Sequence, residues 1–227
     1  MNKVMQTHVV LYKAYGPRGW WPLTQKYKFI PEHKGEKPDT KQRKFEIIIG
    51  AILTQNTAWK NVEKAIINLN KNKLLSKEKI KALPEKKLAE LIKPSGYYNQ
   101  KAKKIKAMIE FLDSGKQINR ESVLSVWGVG PETADSILLY AYEQPFFVID
   151  AYTKRIFSRL GFCKEKAGYD ELQELFHINL AKDINVFKEY HALLVEHGKR
   201  YCRKKPECKE CVLKKECKHV KKIPKVY

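Results

Sequence analysis

Four cysteines, Cys202, Cys208, Cys211 and Cys217, fall within sixteen positions as C-x5-C-x2-C-x5-C, directly after His197-Gly198-Lys199-Arg200-Tyr201. Thiolates gathered this densely can wrap a single tetrahedral zinc or a cuboidal iron–sulfur cluster. Zinc ribbons use two close pairs, and only Cys208 and Cys211 form one here. Gly128-Val129-Gly130 is a second chemical feature, a tight turn between two apolar segments, with Pro131 opening the second. Amides of such a turn, and of the helix start that follows it, bind an anionic oxygen. Asp150, within Val148-Ile149-Asp150-Ala151-Tyr152, is placed as the N-cap of a helix. Capping amides keep a carboxylate ionised and fixed in aim, so it serves as a plain cap or as a stabiliser of developing positive charge.

The elements that must position these groups read as all-α. Apolar residues recur at i, i+3, i+4 and i+7 over 3–15, 45–55, 60–70, 99–113, 131–143, 152–160 and 182–198. Breaks fall at Gly16-Pro17, Pro38-Asp39, Pro94-Ser95-Gly96, Trp127 to Gly130, Gln144-Pro145 and Gly161, with Asn99 and Asp150 as N-caps. Phe146 to Ile149 has strand character but stands too isolated to build a sheet. Cys163 reads as a small buried side chain.

Forty-five Lys and Arg against 25 Asp and Glu give a formal charge of +20. Residues 199–227 hold 12 basic and three acidic side chains, and residues 1–44 hold ten and three. A polyanionic partner explains the imbalance, and so does a lysine-rich coding bias. The amino terminus has no cleavable apolar core and no apolar run approaches the ~20 residues of a membrane span, so a soluble, intracellular monomer without membrane contact is expected.

The segment from Val126 to Leu160 resembles the helix-hairpin-helix plus Asp motif of the endonuclease III superfamily of DNA glycosylases. Phe45-Glu46 with Leu53-Thr54-Gln55-Asn56-Thr57, and Ser95 to Ala102, are similar to that family's two other DNA-facing segments, so the likeness spans roughly residues 20–218. The cysteine segment resembles the family's 4Fe-4S loop, with five residues in the first gap instead of six. The resemblance implies a two-lobed helix-hairpin-helix glycosylase fold. Residues 36–144 form a six-helix barrel domain, and 1–35 with 145–227 form a discontinuous helical domain carrying the cluster loop at 202–217. Asp150 lies in the cleft between them.

The same resemblance implies the roles of individual residues. Double-stranded DNA containing a damaged base is the partner, met in a prokaryotic cytoplasm at the nucleoid. Gly128, Val129, Gly130, Thr133, Lys101 and Tyr97 bind DNA, while Gln55 fills the hole left by the extruded base. Asp150 stabilises the sugar cation, and Tyr152 and Glu132 are further catalytic candidates. Glu132 occupies the position of the lysine that forms a Schiff base in bifunctional members, which implies a monofunctional enzyme using water. Trp20, Trp21 and Phe45 are similar to the base pocket of the 3-methyladenine branch, and archaeal relatives acting on uracil, mismatched thymine or oxidised guanine fit equally. Plainer readings stand beside each: Asp150 as a cap only, Glu132 as a partner of the helix dipole, the aromatic residues as core, Gln55 as a surface side chain, and Lys101, Lys103 and Lys104 as a solvated helix face. A bifunctional glycosylase/lyase using another lysine, and a non-catalytic DNA-binding module, are the competing functions.

Overall fold

The computed structural model describes residues 2–220, whose regular elements are helices apart from one ladder of two-residue strands. Helix α1 (Lys3–Tyr15) is capped by Asn2, whose side chain accepts from the Met5 amide at 2.9 Å. Strand β1 (Leu23–Thr24) pairs antiparallel with β2 (Pro31–Glu32), Leu23 opposite Glu32. Nine helices precede or follow the hairpin region in chain order before the last: α2 (Lys41–Leu53), α3 (Trp59–Lys71), α4 (Lys77–Ala82), α5 (Glu85–Leu91), a 3-10 turn at Lys93–Ser95, α6 (Tyr98–Asp113), α7 (Arg120–Leu124), α8 (Pro131–Ala141), α9 (Ala151–Leu160) and α10 (Tyr169–Asn179). Helix α11 (Ile184–Arg200) closes the series. Among the described residues no helix is long and apolar enough to cross a membrane.

The chain divides into two compact units, one of residues 21–144 and one formed by the segments up to Trp20 and from Pro145 onward. The first boundary falls after Trp20 rather than at residue 35, because the strand segment is fastened to α2. Leu23 is buried, and the carboxylate of Glu46 accepts both the Thr24 amide (2.9 Å) and its hydroxyl (2.6 Å). Asn70 of α3 donates to the same hydroxyl at 2.8 Å. Burial pushes the Glu46 carboxyl up, against the hydrogen bonds from Thr24. Every residue of α2 from Phe45 to Leu53 is buried, as a helix apolar on all sides must be, so α2 is the central rod of this unit. Tyr97 stands in the left-handed region (φ 46°) ahead of α6, so Tyr97 and not Asn99 is the residue at that helix's entry.

An aromatic core holds the other unit. Phe147 stacks on Phe176 with ring centroids 3.8 Å apart, so the apolar run 146–149 is extended chain pressed into a helical core and not a strand. The buried Tyr190 hydroxyl donates to the Val4 carbonyl at 2.7 Å, tying α11 to α1.

Trp21 marks the tightest packing around α2. A Cβ added to Gly50 would meet Trp21 Cζ2 at 2.8 Å, and the Trp21 ring stands edge-on to Trp59 at 5.6 Å. Replacing Gly by Ala inside a helix gains about 1 kcal/mol, whereas overpacking a filled core costs about 1–3 kcal/mol. Overpacking is expected to outweigh the gain, so Gly50→Ala lowers stability by up to about 2 kcal/mol in urea unfolding monitored by tryptophan fluorescence. An unchanged or higher midpoint would show that the indole has room to move.

Candidate active site

Asp150 is the N-cap of α9, its Oδ1 accepting the Thr153 amide at 2.7 Å. Its other oxygen lies 3.6 Å from His191 Nε2 on α11, and the side chain is 11% exposed. Burial alone would push this carboxyl up; the His191 imidazole beside it, with Thr153, outweighs that and holds the group below the ordinary aspartate range. A carboxylate so placed is ionised at neutral pH, fixed in direction and only narrowly open to water. His191 was not singled out from the sequence, where a lone histidine on an apolar helix face carries no distinguishing signal. Tyr152 lies against α11 because Gly198 leaves space: an added Cβ there would meet Tyr152 Cδ1 at 2.3 Å. Arg155 sits over the Tyr152 ring at 5.1 Å.

The same helix pins the cysteine loop. Arg155 Nε donates to the Cys202 carbonyl (2.6 Å), and Arg159 donates to the Arg203 carbonyl (2.6 Å), the Lys204 carbonyl (3.0 Å) and Cys202 Sγ (3.3 Å). Two arginines one turn apart on α9 thus organise the loop's backbone, a function no motif announced. Cys202, Cys208, Cys211 and Cys217 line one cavity with Ile156, Leu160 and His197. Among the described residues, no three His, Cys, Asp or Glu side chains are drawn together tightly enough to chelate a single ion. Burial, followed by the neighbouring thiols, pushes the Cys208 thiol up, and burial does the same at Cys211. These two thiols therefore resist ionisation until a cation is supplied.

The hairpin lies in the unit of residues 21–144. Gly128 takes φ +79°, which a glycine adopts without strain, whereas Gly130 is extended at φ −98° and is the N-cap of α8. A Cβ on Gly130 would meet nothing within 4 Å, so that glycine leaves open space on the outer side of the turn. Val129 does not present a donor as expected: its amide goes to the Val126 carbonyl (3.1 Å) and its side chain is 8% exposed, so it secures the turn from inside. Thr133 is also turned inward, 7% exposed, with its hydroxyl accepting from Gln55 Nε2 at 2.9 Å. Glu132 is exposed in the first turn of α8.

Lys101 departs furthest from expectation. It is 2% exposed, and its ammonium donates to the Leu53 carbonyl (2.8 Å) and the Ser95 carbonyl (2.7 Å) instead of facing a phosphate. Burial, with the nearby Lys104, brings it down to about 8. It links the end of α2 to the 3-10 turn, and so fixes the two loops that carry Gln55 and Tyr97. Tyr97 itself is 71% exposed. Of the aromatic trio, Phe45 and Trp21 are buried in the unit of residues 21–144, Trp21 also lying 5.3 Å from Tyr140. Trp20 belongs to the other unit, with Lys199 at 6.0 Å from its ring.

Set beside known proteins, the chain matches the HhH-GPD superfamily of base excision DNA repair proteins over residues 49–182, more than half its length. The chain belongs to that family, and within it is a DNA glycosylase. A protein of Methanocaldococcus jannaschii named as a DNA repair glycosylase is 46% identical, across 94% of this chain and 95% of its own. A crystal structure of the H. pylori 3-methyladenine DNA glycosylase bound to 1,N6-ethenoadenine is 27% identical and covers 87% of this chain and 96% of that one, with a TM-score of 0.68. A trapped endonuclease III–DNA covalent intermediate has the same fold at a TM-score of 0.77, with 22% identity over 98% of this chain and 99% of that chain.

The Asp150–His191 pair makes a prediction about titration. Removing the imidazole in His191→Leu leaves burial as the dominant influence, so the Asp150 carboxyl is expected to titrate higher. Carbon NMR of aspartate-labelled protein reads this directly; an unmoved titration would mean that Thr153 alone keeps the group ionised.

Proposed function

We propose that this protein is a monofunctional base-excision DNA glycosylase that acts on a damaged base flipped out of double-stranded DNA. The observation that carries the reading is the Asp150 carboxylate, held ionised at the start of α9 by Thr153 and His191. Breaking an N-glycosidic bond builds positive charge on the sugar, and a fixed anion in a poorly hydrated site stabilises that charge most. Water then captures the cation. Glu132, at the position where bifunctional relatives carry a lysine, cannot form an imine, and this supports a reaction without strand cleavage.

The hairpin supplies the grip. Outward amides at Gly130 and the first turn of α8, in a loop without side-chain bulk, suit a phosphate oxygen. Gln55 and the exposed Tyr97 enter the duplex where the base has left. Uracil, alkylated purines and oxidised purines are the candidate bases. Two of the similar proteins, a 3-methyladenine DNA glycosylase and a protein named as a DNA repair glycosylase, support the class without ranking these substrates.

Cys202, Cys208, Cys211 and Cys217 are assigned to hold a 4Fe-4S cluster, which supplies cationic iron to four gathered thiolates and fixes the shape of their loop. The support is that all four cysteines line one cavity, with only one close pair among them. Arg155 and Arg159 would then transmit that loop's order to α9, and thus to Asp150. Four irons per chain and a brown colour are expected from the purified protein; one zinc and no colour would overturn the assignment.

The catalytic reading is tested with duplexes each bearing one uracil, 3-methyladenine, hypoxanthine or 8-oxoguanine. Asparagine caps a helix as well as aspartate does, so Asp150→Asn is expected to fold normally and lose about 100-fold or more of the excision rate. Borohydride is expected to trap no covalent adduct with the wild type. A trapped adduct, or full activity in Asp150→Asn, would contradict the mechanism.

A further inference from the structure

Lys104 has no part in the chemistry above, yet it touches both moving parts of the DNA-binding face in its unit. Its stem lies on the hairpin: a Cβ on Gly128 would meet Lys104 Cγ and Cε at 2.6 Å and Cδ at 2.8 Å. Its ammonium donates to Gln55 Oε1 at 2.6 Å. Gln55 Nε2 in turn donates to the Gly128 carbonyl (3.1 Å) and the Thr133 hydroxyl (2.9 Å). Because an ammonium only donates and a carbonyl only accepts, these partners fix which end of the Gln55 amide points where. Lys101, one helical turn earlier on the same face of α6, holds the Leu53 and Ser95 carbonyls and so anchors the loops from below.

We propose that Lys104 is a positioning residue. Its charge is directed at the protein rather than at a phosphate, and it sets the orientation of Gln55 and the left-handed turn at Gly128 before DNA arrives. The proposal rests on the reading that the hairpin grips DNA and that Gln55 enters the duplex. Its consequence is a coupling: a hairpin seated on a phosphate holds the Gln55 amide in register through the Gly128 carbonyl, and Lys104 sets the other end of that amide.

The alternative, a surface lysine bound to a phosphate, is separable by salt. Each neutralised phosphate contributes about 0.9 to the slope of log affinity against log salt on B-DNA. The probe is a duplex with a tetrahydrofuran abasic analogue and 2-aminopurine opposite it, which reports entry of a side chain as a rise in fluorescence and needs no knowledge of the excised base. Lys104→Met keeps the stem over Gly128 and removes the ammonium. It is expected to leave the salt slope within about 0.3 of wild type and to cut the fluorescence rise about twofold or more, with recovery in Lys104→Arg. In a Gln55→Ala background the same change is expected to have no further effect on fluorescence, since coupled residues do not add.

A slope reduced by about 0.9, with equal loss in both backgrounds, would show a phosphate ligand and overturn the proposal. If Gln55→Ala removes the fluorescence rise but Lys104→Met does not, the proposal fails while the reading of Gln55 stands. If Gln55→Ala leaves the rise intact, the reading of Gln55 fails and takes the proposal with it.

Discussion

One carboxylate governs the organisation of the Asp150-bearing unit. Asp150 must stay ionised while nearly buried, and an uncompensated buried charge is costly. The compensation is local: the Thr153 amide of α9 donates to one of its oxygens, and the His191 imidazole on α11 stands beside the other. Both partners depend on how α9 is seated against α11, which explains the glycine at 198 under the Tyr152 ring and the aromatic core that fixes α11. It also explains why the cysteine loop belongs in this unit. Through Arg155 and Arg159, α9 holds the loop carbonyls, and its N-cap carries the Asp150 carboxylate.

The unit of residues 21–144 solves a different problem, that of presenting backbone and one amide side chain in fixed positions. A rod of buried residues, α2, runs through it and ends at Leu53. The loops beyond that end carry little bulk and are fixed by two lysines on one face of α6, one buried and one lying over the hairpin glycine. Positive charge here serves first as a structural donor. The excess of basic residues in the composition therefore overstates how many lysines are available to a polyanion.

Sequence reading captured what depends on local rules. Helical periodicity located the long helices, the Asp150 cap followed from its neighbours, and the turn at Gly128 followed from glycine chemistry. Short helices such as α4 and α5, with one or two apolar positions each, fall below what periodicity can register. Helix α10 is hidden for a related reason: only Leu172, Gln173 and Phe176 are buried in it, and acidic residues stand between them and at its start. Contacts between distant segments were out of reach. Nothing in the string distinguishes a lysine that meets carbonyls 48 positions away from one that solvates a helix. Lys101, Val129 and Thr133 were read as facing DNA because they flank the right segments, and their side chains instead face the interior that makes those segments rigid.

The central claim is that the Asp150 charge is directed at a sugar that becomes positive. Duplexes carrying a cationic pyrrolidine in place of the deoxyribose, compared with the uncharged tetrahydrofuran analogue, test it without reference to any base, because only the first resembles the charged transition state. The account predicts binding tighter by about 100-fold or more for the cationic duplex, a preference that disappears in Asp150→Asn. Equal affinity for the two duplexes in the wild-type protein would contradict it.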